Sequence, residues 1–350
     1  MMAKSDELDL LGLDDNFNPV CYINFINLQW KRRYYEVGTF TVQLRAQDYD
    51  ARVKYVYAHQ RPELGMVERT ETQQNLKGDF VLLSGRFFEH VLSWRLAFPI
   101  FDGTYKLNEL ADRFVRHEWY KVRKFDIQLA DDLPEDSVDI KWENDPLGEC
   151  MYGTLKTIEK SQSVLFDPDT HALTYRIWQG LDRTQSQAEN AYALFSDESC
   201  HVVSFTYTED FSDYKNVCMI LYGSQPSRRD RYLDGWREHG GRWMLMNADE
   251  ADSKEVQKQQ ADEELQKHPI VREAEIDVIQ NGFFYMQDYD LGDKCDLANH
   301  KYGKAFEARL ISIDEVWKQG KHTVTLGFGE QLQTQYQRLK NYVVADRKAH

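Results

Sequence analysis

The sequence predicts a mainly β fold with an α+β insertion, and three observations lead to this prediction. Aromatic residues make up 13% of the 350 residues, and large flat side chains favour the half-buried surface of a sheet. Short runs in which apolar and polar residues alternate recur along most of the chain, as they do in strands with one buried face. A chain of this length also exceeds the usual size of a single hydrophobic core, so we expect at least two packed units.

Residues 1–100 are predicted to form the first β unit. The run Thr39–Arg45 alternates strictly, which puts Phe40, Val42 and Leu44 on one face. Glycines between the runs mark turns, and strands that are this short and this closely spaced are typical of a barrel or a sandwich. The further strands predicted here are Val20–Leu28, Val53–Tyr57 and Phe80–Leu83.

Residues 101–190 are predicted to form an α+β peripheral domain. Apolar residues recur at helical spacing over Leu107–Trp119, and Thr104 or Asn108 is a suitable N-cap for that helix. The other elements predicted in this part are a short helix at Cys150–Ile158 and two strands, Val138–Trp142 and Leu173–Gln179.

Residues 191–335 are predicted to form a second β unit that is interrupted by an acidic helix. The helix is expected over Asp249–His268, directly before Pro269. The surrounding segment Asn247–Asp277 holds ten acidic and four basic residues. A helix that is polar nearly all round lies on the outside of a β-rich chain or bridges to a neighbour. Residues 336–350 are left as a C-terminal tail. The strands predicted here are Val202–Tyr207, Asn216–Gly223, Glu275–Gln280, Phe306–Ile313 and His322–Phe328.

The formal net charge of −15 restricts the kinds of partner that the protein has. A protein that holds nucleic acid needs a basic surface, so the charge argues against nucleic-acid binding. It does not argue against a protein that lets DNA pass without holding it. The one basic and aromatic cluster, Trp30–Tyr35, is interpreted as an edge strand or a turn whose Lys and Arg side chains are solvated.

Neither export nor membrane insertion is predicted. The first dozen residues are acidic and lack an apolar core, and no stretch of about 20 apolar residues occurs. The five cysteines are widely spaced and form no CxxC pair. We therefore expect buried free thiols in a chain that folds in a reducing cytoplasm.

Sequence motifs typical of catalysis, phosphate binding or metal binding are not found, and we predict no catalytic residue, no cofactor and no metal site. The sequence contains no GxxxxGK phosphate loop, no GxSxG nucleophile elbow and no HExxH pair. Asp288, Asp290 and Asp293 resemble half of a calcium loop. However, Gly292 stands at a ligand position and no glutamate closes the loop, so we interpret the segment as a turn between strands. The many carboxylates and the eight tryptophans leave two alternatives open, a cell-wall glycan hydrolase and a carbohydrate- or receptor-binding β protein.

Several short segments, taken in order between residues 20 and 330, resemble those of the siphophage tail hub family. Members of this family are also called tail-associated or tail-tip proteins, and their fold is related to the baseplate hub of contractile phages. One departure is Cys295, which stands where the family usually has an apolar residue. The residues that carry the resemblance are Val37, Gly38 and Phe40 in EVGTF, Gly65 in ELGMVE, Gly85 in LSGRF, Arg95 in VLSWR, Gly180, Asp182, Arg183 and Thr184 in GLDRT, Asp288, Asp290, Gly292 and Asp293 in DYDLGD, and Gly327 and Gly329 in LGFG.

The resemblance implies a fold of the phage tail-hub type. Two tube-like β-barrels are implied at residues 1–100 and 191–335, with the peripheral domain at residues 101–190 between them. A homotrimer is also implied, which continues the tail tube and adapts its sixfold symmetry to threefold. The implied partners are the distal tail protein ring, the tape measure protein and tail-tip or receptor-binding proteins, with genomic DNA only in transit. The implied location is the tail tip or baseplate of the virion, after assembly in the host cytoplasm.

Two further expectations concern the chain end and the charge. The long C-terminal extension of many tail-tip proteins, which often holds hydrolase or receptor-binding parts, is missing here. We therefore predict a structural protein without lytic activity. Because Asp and Glu along a channel repel DNA phosphates, we expect part of the negative charge to face the channel.

Overall fold

The computed structural model describes residues 8–329 except 77, 99, 118–119, 224–226, 250–251 and 319. Strands dominate these residues, so the predicted mainly β fold with an α+β insertion is confirmed. The α-helices are α1 (Leu107–Arg116), α2 (Leu147–Thr157) and α3 (Lys254–Gln266), and 3-10 helices lie at Ala46–Asp48, Phe88–Trp94 and His300–Tyr302. The strands are β1 (Leu10–Leu13), β2 (Pro19–Tyr22), β3 (Phe25–Arg33), β4 (Thr39–Arg45), β5 (Tyr55–Ala58), β6 (Leu64–Asn75), β7 (Gly78–Phe87), β8 (Phe101–Lys106), β9 (Ile127–Leu129), β10 (Ser137–Trp142), β11 (Ser161–Phe166), β12 (Leu173–Trp178), β13 (Leu194–Ser196), β14 (Val202–Asp210), β15 (Val217–Tyr222), β16 (Ser227–Tyr232), β17 (Trp243–Ala248), β18 (Val271–Val278), β19 (Lys294–Asn299), β20 (Lys304–Lys318) and β21 (Lys321–Gly329).

The described residues divide into two compact units. The first comprises residues 8–205 and 275–328, and the second comprises residues 206–274 and 329. The chain passes between the units within β14 and again within β18. The predicted domain limits at residues 100, 190 and 335 stay a prediction, and the predicted tail at residues 336–350 lies outside the described residues.

The first unit is built on a 13-stranded sheet. Neighbouring strands follow the order β14-β18-β21-β20-β3-β4-β7-β6-β5-β1-β2, and β19 and then β13 branch from β20. The early strand β3 is antiparallel to the late strand β20, with Trp30 opposite Glu315 and Arg32 opposite Ile313. The strand path through the described residues ends at β14 and at β2, and its division into two barrels stays a prediction.

Alternation along each strand decides which side chains this sheet buries. In β4, Phe40, Val42 and Leu44 are buried while Thr39 and Arg45 are exposed, as the sequence pattern predicts. The three buried side chains share a core with residues of β3, β5 and β7. Burial of each such side chain contributes about 1.5–3 kcal/mol, so the alternating runs fix which face of the sheet is internal.

A second core of the first unit holds together its α+β part. Here β8 pairs with β10, and β11, β12 and β9 form a sheet in which β9 and β12 are parallel. The predicted helices are observed, and both pack their apolar stripes into this core. Trp119, the predicted end of α1, lies outside the described residues, and the helix as described ends at Arg116.

The N-cap predicted for α1 is wrong. No side chain makes the capping hydrogen bond of this helix, and the carbonyl of Asp136 accepts a hydrogen bond of 2.9 Å from Leu107 N. Asn108 Oδ1 accepts only from the adjacent Glu109 N, at 2.8 Å. Thr104 Oγ1 instead donates to Asp139 on the paired strand at 2.5 Å. A backbone carbonyl from the neighbouring segment therefore satisfies the first N–H of the helix, and a sequence pattern does not reveal such a partner.

The single strand predicted over Val20–Leu28 is also wrong, since this run forms β2 and the first part of β3. The two strands have different partners: β2 pairs with β1, whereas β3 pairs with β4 and β20. Ile23 is buried between them and donates its backbone N–H to Leu10 O at 2.8 Å. The apolar run is continuous in sequence, but it bends because its two halves pair with different strands.

The second unit is a three-stranded sheet with one helix on it. The strand order is β16-β15-β17, and α3 packs on β15 and β16. The acidic helix is shorter than predicted and begins after Ser253, whose Oγ accepts a hydrogen bond from Val256 N at 3.3 Å. Its Ala261 and Leu265 share a small core with Cys218 and Ile220 of β15. No helix within the described ranges is both long and apolar enough to cross a membrane.

A substitution at Gly85 can test how closely β6 and β7 pack against each other. A Cβ at this position would overlap Met66 O at the register shift of β6. We expect Gly85→Ala to lower the free energy of unfolding of the first unit by about 1–3 kcal/mol, measured by urea unfolding followed through tryptophan fluorescence. Gly153→Ala is the control, because Gly153 lies on α2 with no neighbouring heavy atom within 4 Å. That change should raise the free energy of unfolding by about 0.5–1 kcal/mol. Equal effects of the two substitutions would contradict this account.

Candidate functional site

The buried Arg32 is the centre of a group of charged and polar side chains, here called the Arg32 cluster (Arg32, Glu63, Tyr285 and Asp290), in which Glu63 and Tyr285 are also buried and Asp290 reaches the surface. Only 2% of Arg32 is exposed. Its Nε donates to Glu63 Oε1 at 2.5 Å, and its Nη1 donates to Asp290 Oδ1 at 2.6 Å. The same Nη1 also donates to the hydroxyl of Tyr285. The cluster thus joins β3 to the segment before β6 and to the loop between β18 and β19.

The predicted solvation of the Lys and Arg side chains in Trp30–Tyr35 is therefore wrong for Arg32. Side chains two positions apart share one face of a strand, and on β3 the buried face carries Leu28, Trp30 and Arg32. Because β3 lies between β4 and β20, it is a central strand of the sheet and not an edge.

Pairing is what allows a charge to stay in this interior. Burial alone would lower the pKa of Arg32, but Glu63, Tyr285 and Asp290 raise that pKa well above its ordinary value. Burial raises the pKa of Tyr285, so its hydroxyl stays protonated and neutral. A buried ion that loses its partner costs several kcal/mol, so these groups depend on one another.

A second group, the Glu315 cluster (Arg61, Glu315 and His322), lies close to the first. Glu315 on β20 is fully buried. Arg61 Nε donates to Glu315 Oε2 at 2.7 Å, and His322 Nε2 lies 3.1 Å from Glu315 Oε1. Burial alone would raise the pKa of Glu315, but the hydrogen bonds from His322 and Arg61 outweigh it and lower that pKa. The ring of His322 also stacks on Trp317 at 4.3 Å between centroids.

Tyr285 connects the two clusters. The guanidinium carbon of Arg32 lies 5.8 Å from the centroid of the Tyr285 ring, and that of Arg61 lies 5.2 Å from it. A cation near the face of an aromatic ring is stabilised in a desolvated site, because the π face carries negative charge. One tyrosine therefore packs against both guanidinium groups.

Two of the sequence motifs meet at Asp293, in a group here called the Asp293 cluster (Leu181, Arg183, Asp290 and Asp293). Asp293 is buried, and its carboxylate accepts hydrogen bonds from Leu181 N at 2.8 Å, Arg183 Nε at 2.6 Å and Asp290 N at 2.9 Å. Two of these hydrogen bonds come from the distant GLDRT segment and one from within the loop itself, and together they fix the loop between β18 and β19. This loop is more than the simple turn that the sequence suggests.

Two glycines allow these motifs to approach each other. A Cβ at Gly180 would overlap the backbone of Gly292. Gly292 has a φ of +88°, and a Cβ there would overlap the ring of Tyr34 on the neighbouring segment. A larger residue at Gly180 would separate the GLDRT and DYDLGD segments, and one at Gly292 would displace the ring of Tyr34.

The other motif residues lie outside these clusters. Asp182 accepts hydrogen bonds from the N–H and hydroxyl of the buried Thr184, and Asp288 Oδ2 accepts one from Phe284 N. The early and late motif positions serve strand packing or turns: Val37 packs beside the core, Gly38 faces Phe87, Gly65 faces Phe40, Gly85 faces Met66, Arg95 is half-buried, Gly327 faces Ser312, and Gly329 has a φ of +96°.

The Arg32, Glu315 and Asp293 clusters together form the buried ionic network. Its chemistry is that of a structural clamp, since charge pairs and carboxylate hydrogen bonds join segments that are up to 258 positions apart. Within the described residues, no three His, Cys, Asp or Glu side chains are arranged to hold a metal ion. Sequence reasoning missed Arg61, Glu89 and Glu315 as parts of this interior.

Glu89 is a further buried carboxyl beside the network. It lies in the 3-10 helix at Phe88–Trp94, and its Oε2 has no hydrogen-bond partner among the described residues. Burial, with Glu63 as a further cause, raises its pKa from 4.5 to about 8. The carboxyl is therefore protonated at neutral pH.

Removing the Arg32 guanidinium should leave Glu63 buried without its partner. We expect Arg32→Met to lower the free energy of unfolding by about 3–5 kcal/mol, measured by urea unfolding. Arg86→Met is the control, since the Arg86 side chain is 44% exposed in its pair with Glu68, and its loss should cost at most about 1 kcal/mol. Adding Glu63→Gln to Arg32→Met should recover part of the loss. A loss for Arg32→Met no larger than that for Arg86→Met would contradict the network's role.

Glu89 should make the protein less stable as the pH rises. Because its folded-state pKa of about 8 exceeds the unfolded value of 4.5, the folded state holds one more proton between these values. Its contribution to stability is complete below pH 4.5 and is lost by about pH 8, at up to about 1.4 kcal/mol per pH unit.

We expect Glu89→Gln to unfold at a higher temperature than wild type at pH 8 and to lose less thermal stability than wild type between pH 5 and pH 8. Glu143→Gln, at an exposed carboxylate, controls for the loss of one acid. Parallel pH profiles for Glu89→Gln and wild type would refute this assignment.

Comparison with known proteins identifies the family. The family model described as Siphovirus ReqiPepy6 Gp37-like protein matches residues 13–330. No curated protein matches the chain significantly.

Solved structures of tail proteins have the same fold. A tail protein from Neisseria meningitidis MC58 superposes with a TM-score of 0.61 at 13% identity, and the match covers 93% of this chain and 96% of that one. The 43 kDa tail protein of prophage MuSo2 from Shewanella oneidensis superposes with a TM-score of 0.60 at 13% identity, and the match covers 92% of this chain and 98% of that one. Prophage tail protein gp18 from Listeria monocytogenes EGD-e superposes with a TM-score of 0.52 at 11% identity, and the match covers 93% of this chain and 95% of that one. The chain therefore belongs to the Siphovirus ReqiPepy6 Gp37-like protein family, and the expected identity as a siphophage tail protein is confirmed.

Proposed function

We propose that this tail protein is the structural hub at the tail tip or baseplate. Three copies form a ring that closes or extends the tail tube and adapts its sixfold symmetry to threefold, and DNA passes through its channel at ejection. The observation that carries this proposal is the family match over residues 13–330. A fold likeness to tail proteins over more than nine-tenths of the chain supports it. The proposed role is structural and not enzymatic.

The construction of the first unit suits a tube wall. Strand β3, from the start of the chain, pairs with β20, from its end, and the buried ionic network clamps the same two regions. A wall that must stay intact while DNA passes benefits from cross-links between distant segments. In this proposal, residues 1–100 and 191–335 supply the two tube-like parts of each copy, and residues 101–190 are peripheral.

The acidity of the chain suits a conduit for DNA. With a net charge of −15, a ring of three copies carries a strongly negative field, which repels phosphates and keeps DNA from adhering to the wall. The proposed neighbours are the distal tail protein ring on one side and tail-tip or receptor-binding proteins on the other. The tape measure protein and the genome are proposed to occupy the channel at successive stages.

The trimer can be tested on the purified full-length chain. We expect native mass spectrometry to give three times the chain mass, and electron-microscopy class averages to show a threefold ring around a pore. Measurements over a range of protein concentration and salt separate a specific ring from loose association. A protein that is monomeric at every concentration, or a ring with a neutral or basic channel wall, would contradict the proposal.

A further inference from the structure

An asparagine followed by a glycine occupies an exposed turn in the loop between β18 and β19. The pair is Asn281 and Gly282, and both residues are exposed. Asparagine is chemically labile in proteins, because the backbone nitrogen of the next residue can attack the carbon of its carboxamide. A glycine in the next position has no side chain to hinder that approach. No other asparagine in the sequence precedes a glycine, so this position is the most reactive of its kind.

The turn leaves both reacting groups without competing contacts. Gly282 has a φ of +75°, and a Cβ built there would meet no heavy atom within 4 Å. Within the described part of the chain, neither the Asn281 carboxamide nor the Gly282 N–H has a hydrogen-bond partner. Asn299 shows the contrast, because its Oδ1 accepts a hydrogen bond from Tyr302 N at 3.2 Å. The Asn281 side chain is thus free to rotate toward Gly282 N.

The backbone on both sides of this turn is fixed. Before it, Ile279 N donates to His201 O at 2.9 Å. After it, Tyr285 N donates to Gln280 Oε1 at 2.8 Å, so that the side chain of Gln280 closes the turn. Tyr285 belongs to the Arg32 cluster, which makes the number of backbone atoms between Gln280 and Tyr285 important for the buried ionic network.

We propose that Asn281 is a site of spontaneous deamidation, and that one of its products lengthens this loop. In the first step, Gly282 N loses its proton and bonds to Asn281 Cγ. The bond from Cγ to the carboxamide nitrogen breaks, and ammonia leaves with the proton. The result is a five-membered imide that contains Cγ, the backbone carbonyl carbon of Asn281 and Gly282 N.

Water opens the imide in the second step. Addition at Cγ breaks its bond to Gly282 N and leaves an aspartate in a normal backbone. Addition at the backbone carbonyl carbon breaks the other bond to Gly282 N and leaves isoaspartate, whose main chain runs through Cβ and Cγ. Water is the only co-reactant, and no electrons are exchanged.

The two products differ in what they do to the loop. Both replace a neutral amide by a carboxylate, which an exposed position tolerates. Isoaspartate also inserts one more carbon atom into the main chain between Gln280 and Tyr285. Because both ends of the turn are held, the additional atom displaces Tyr285 from its place beside Arg32. We therefore expect the isoaspartyl form to be less stable than the fresh protein.

Peptide mapping of the purified full-length chain tests the site. After incubation in mildly alkaline buffer, we expect the peptide that contains Asn281 to change by the mass difference between –NH2 and –OH. It should appear as two products, of which an isoaspartyl methyltransferase labels one. The rate should rise in proportion to hydroxide concentration, because Gly282 N must lose its proton. Asn247 is the internal control, since it is exposed but precedes Ala248, and it should stay unchanged over the same period.

Urea unfolding of incubated protein tests the effect on the loop. We expect the midpoint of wild type to move to lower urea concentration as isoaspartate accumulates. Asn281→Gln is the matched control, because it keeps the carboxamide but its longer side chain forms the imide much more slowly. The midpoint of this variant, incubated in parallel, should equal that of its fresh sample.

A synthetic peptide with the sequence of Ile279–Tyr285 gives the reference rate. If the peptide converts while the folded chain keeps Asn281 intact, the turn prevents the attack and the inference is wrong. Aspartate without isoaspartate would contradict the imide route. Full conversion with an unchanged midpoint would contradict the displacement of Tyr285. None of these results bears on the hub proposal, because the inference does not rest on it.

Discussion

The first unit depends on keeping the buried guanidinium of Arg32 paired. A charge in the interior of a sheet is tolerated only when its partners are held at hydrogen-bond distance. Those partners, Glu63 and Asp290, come from segments on either side of the long middle part of the chain. The positions of β3, of the start of β6 and of the loop after β18 are therefore set together. The hydrogen bonds to Asp293 and the close approach of Gly180 to Gly292 then fix that loop from its other side.

Much of the strand pattern was predictable from the sequence, because burial on one face imposes a period of two. The strand at Thr39–Arg45 has the predicted limits, and the two helices of the α+β part lie close to their predicted positions. Interpretation by residue type alone was wrong for Arg32, because a cluster rich in Lys and Arg predicts solvated side chains. The period gives the better indication, since Leu28, Trp30 and Arg32 alternate on one face.

Other features depend on contacts that a sequence pattern does not contain. The first N–H of α1 donates to a backbone carbonyl from another segment, and the run Val20–Leu28 bends because its two halves pair with different strands. The motif residues were recognised in their order along the chain, but their meeting at Asp293 follows from the tertiary fold. Glu315 could be found by the same period of two, since it lies between Ile313 and Trp317 on a buried face. Its partner Arg61 is 254 positions away, and nothing local connects the two.

The second unit enters and leaves the large sheet through β14 and β18, which are adjacent strands. Two neighbouring strand ends can be joined by a short turn as well as by a folded module, and insertions are tolerated best where both connections lie close together. Residues 206–274 can thus lengthen, shorten or be exchanged without altering the strand order around β3 and β20. The position offers a tail protein room to diversify: a phage lineage can acquire a different module between these two strands and keep the same large sheet.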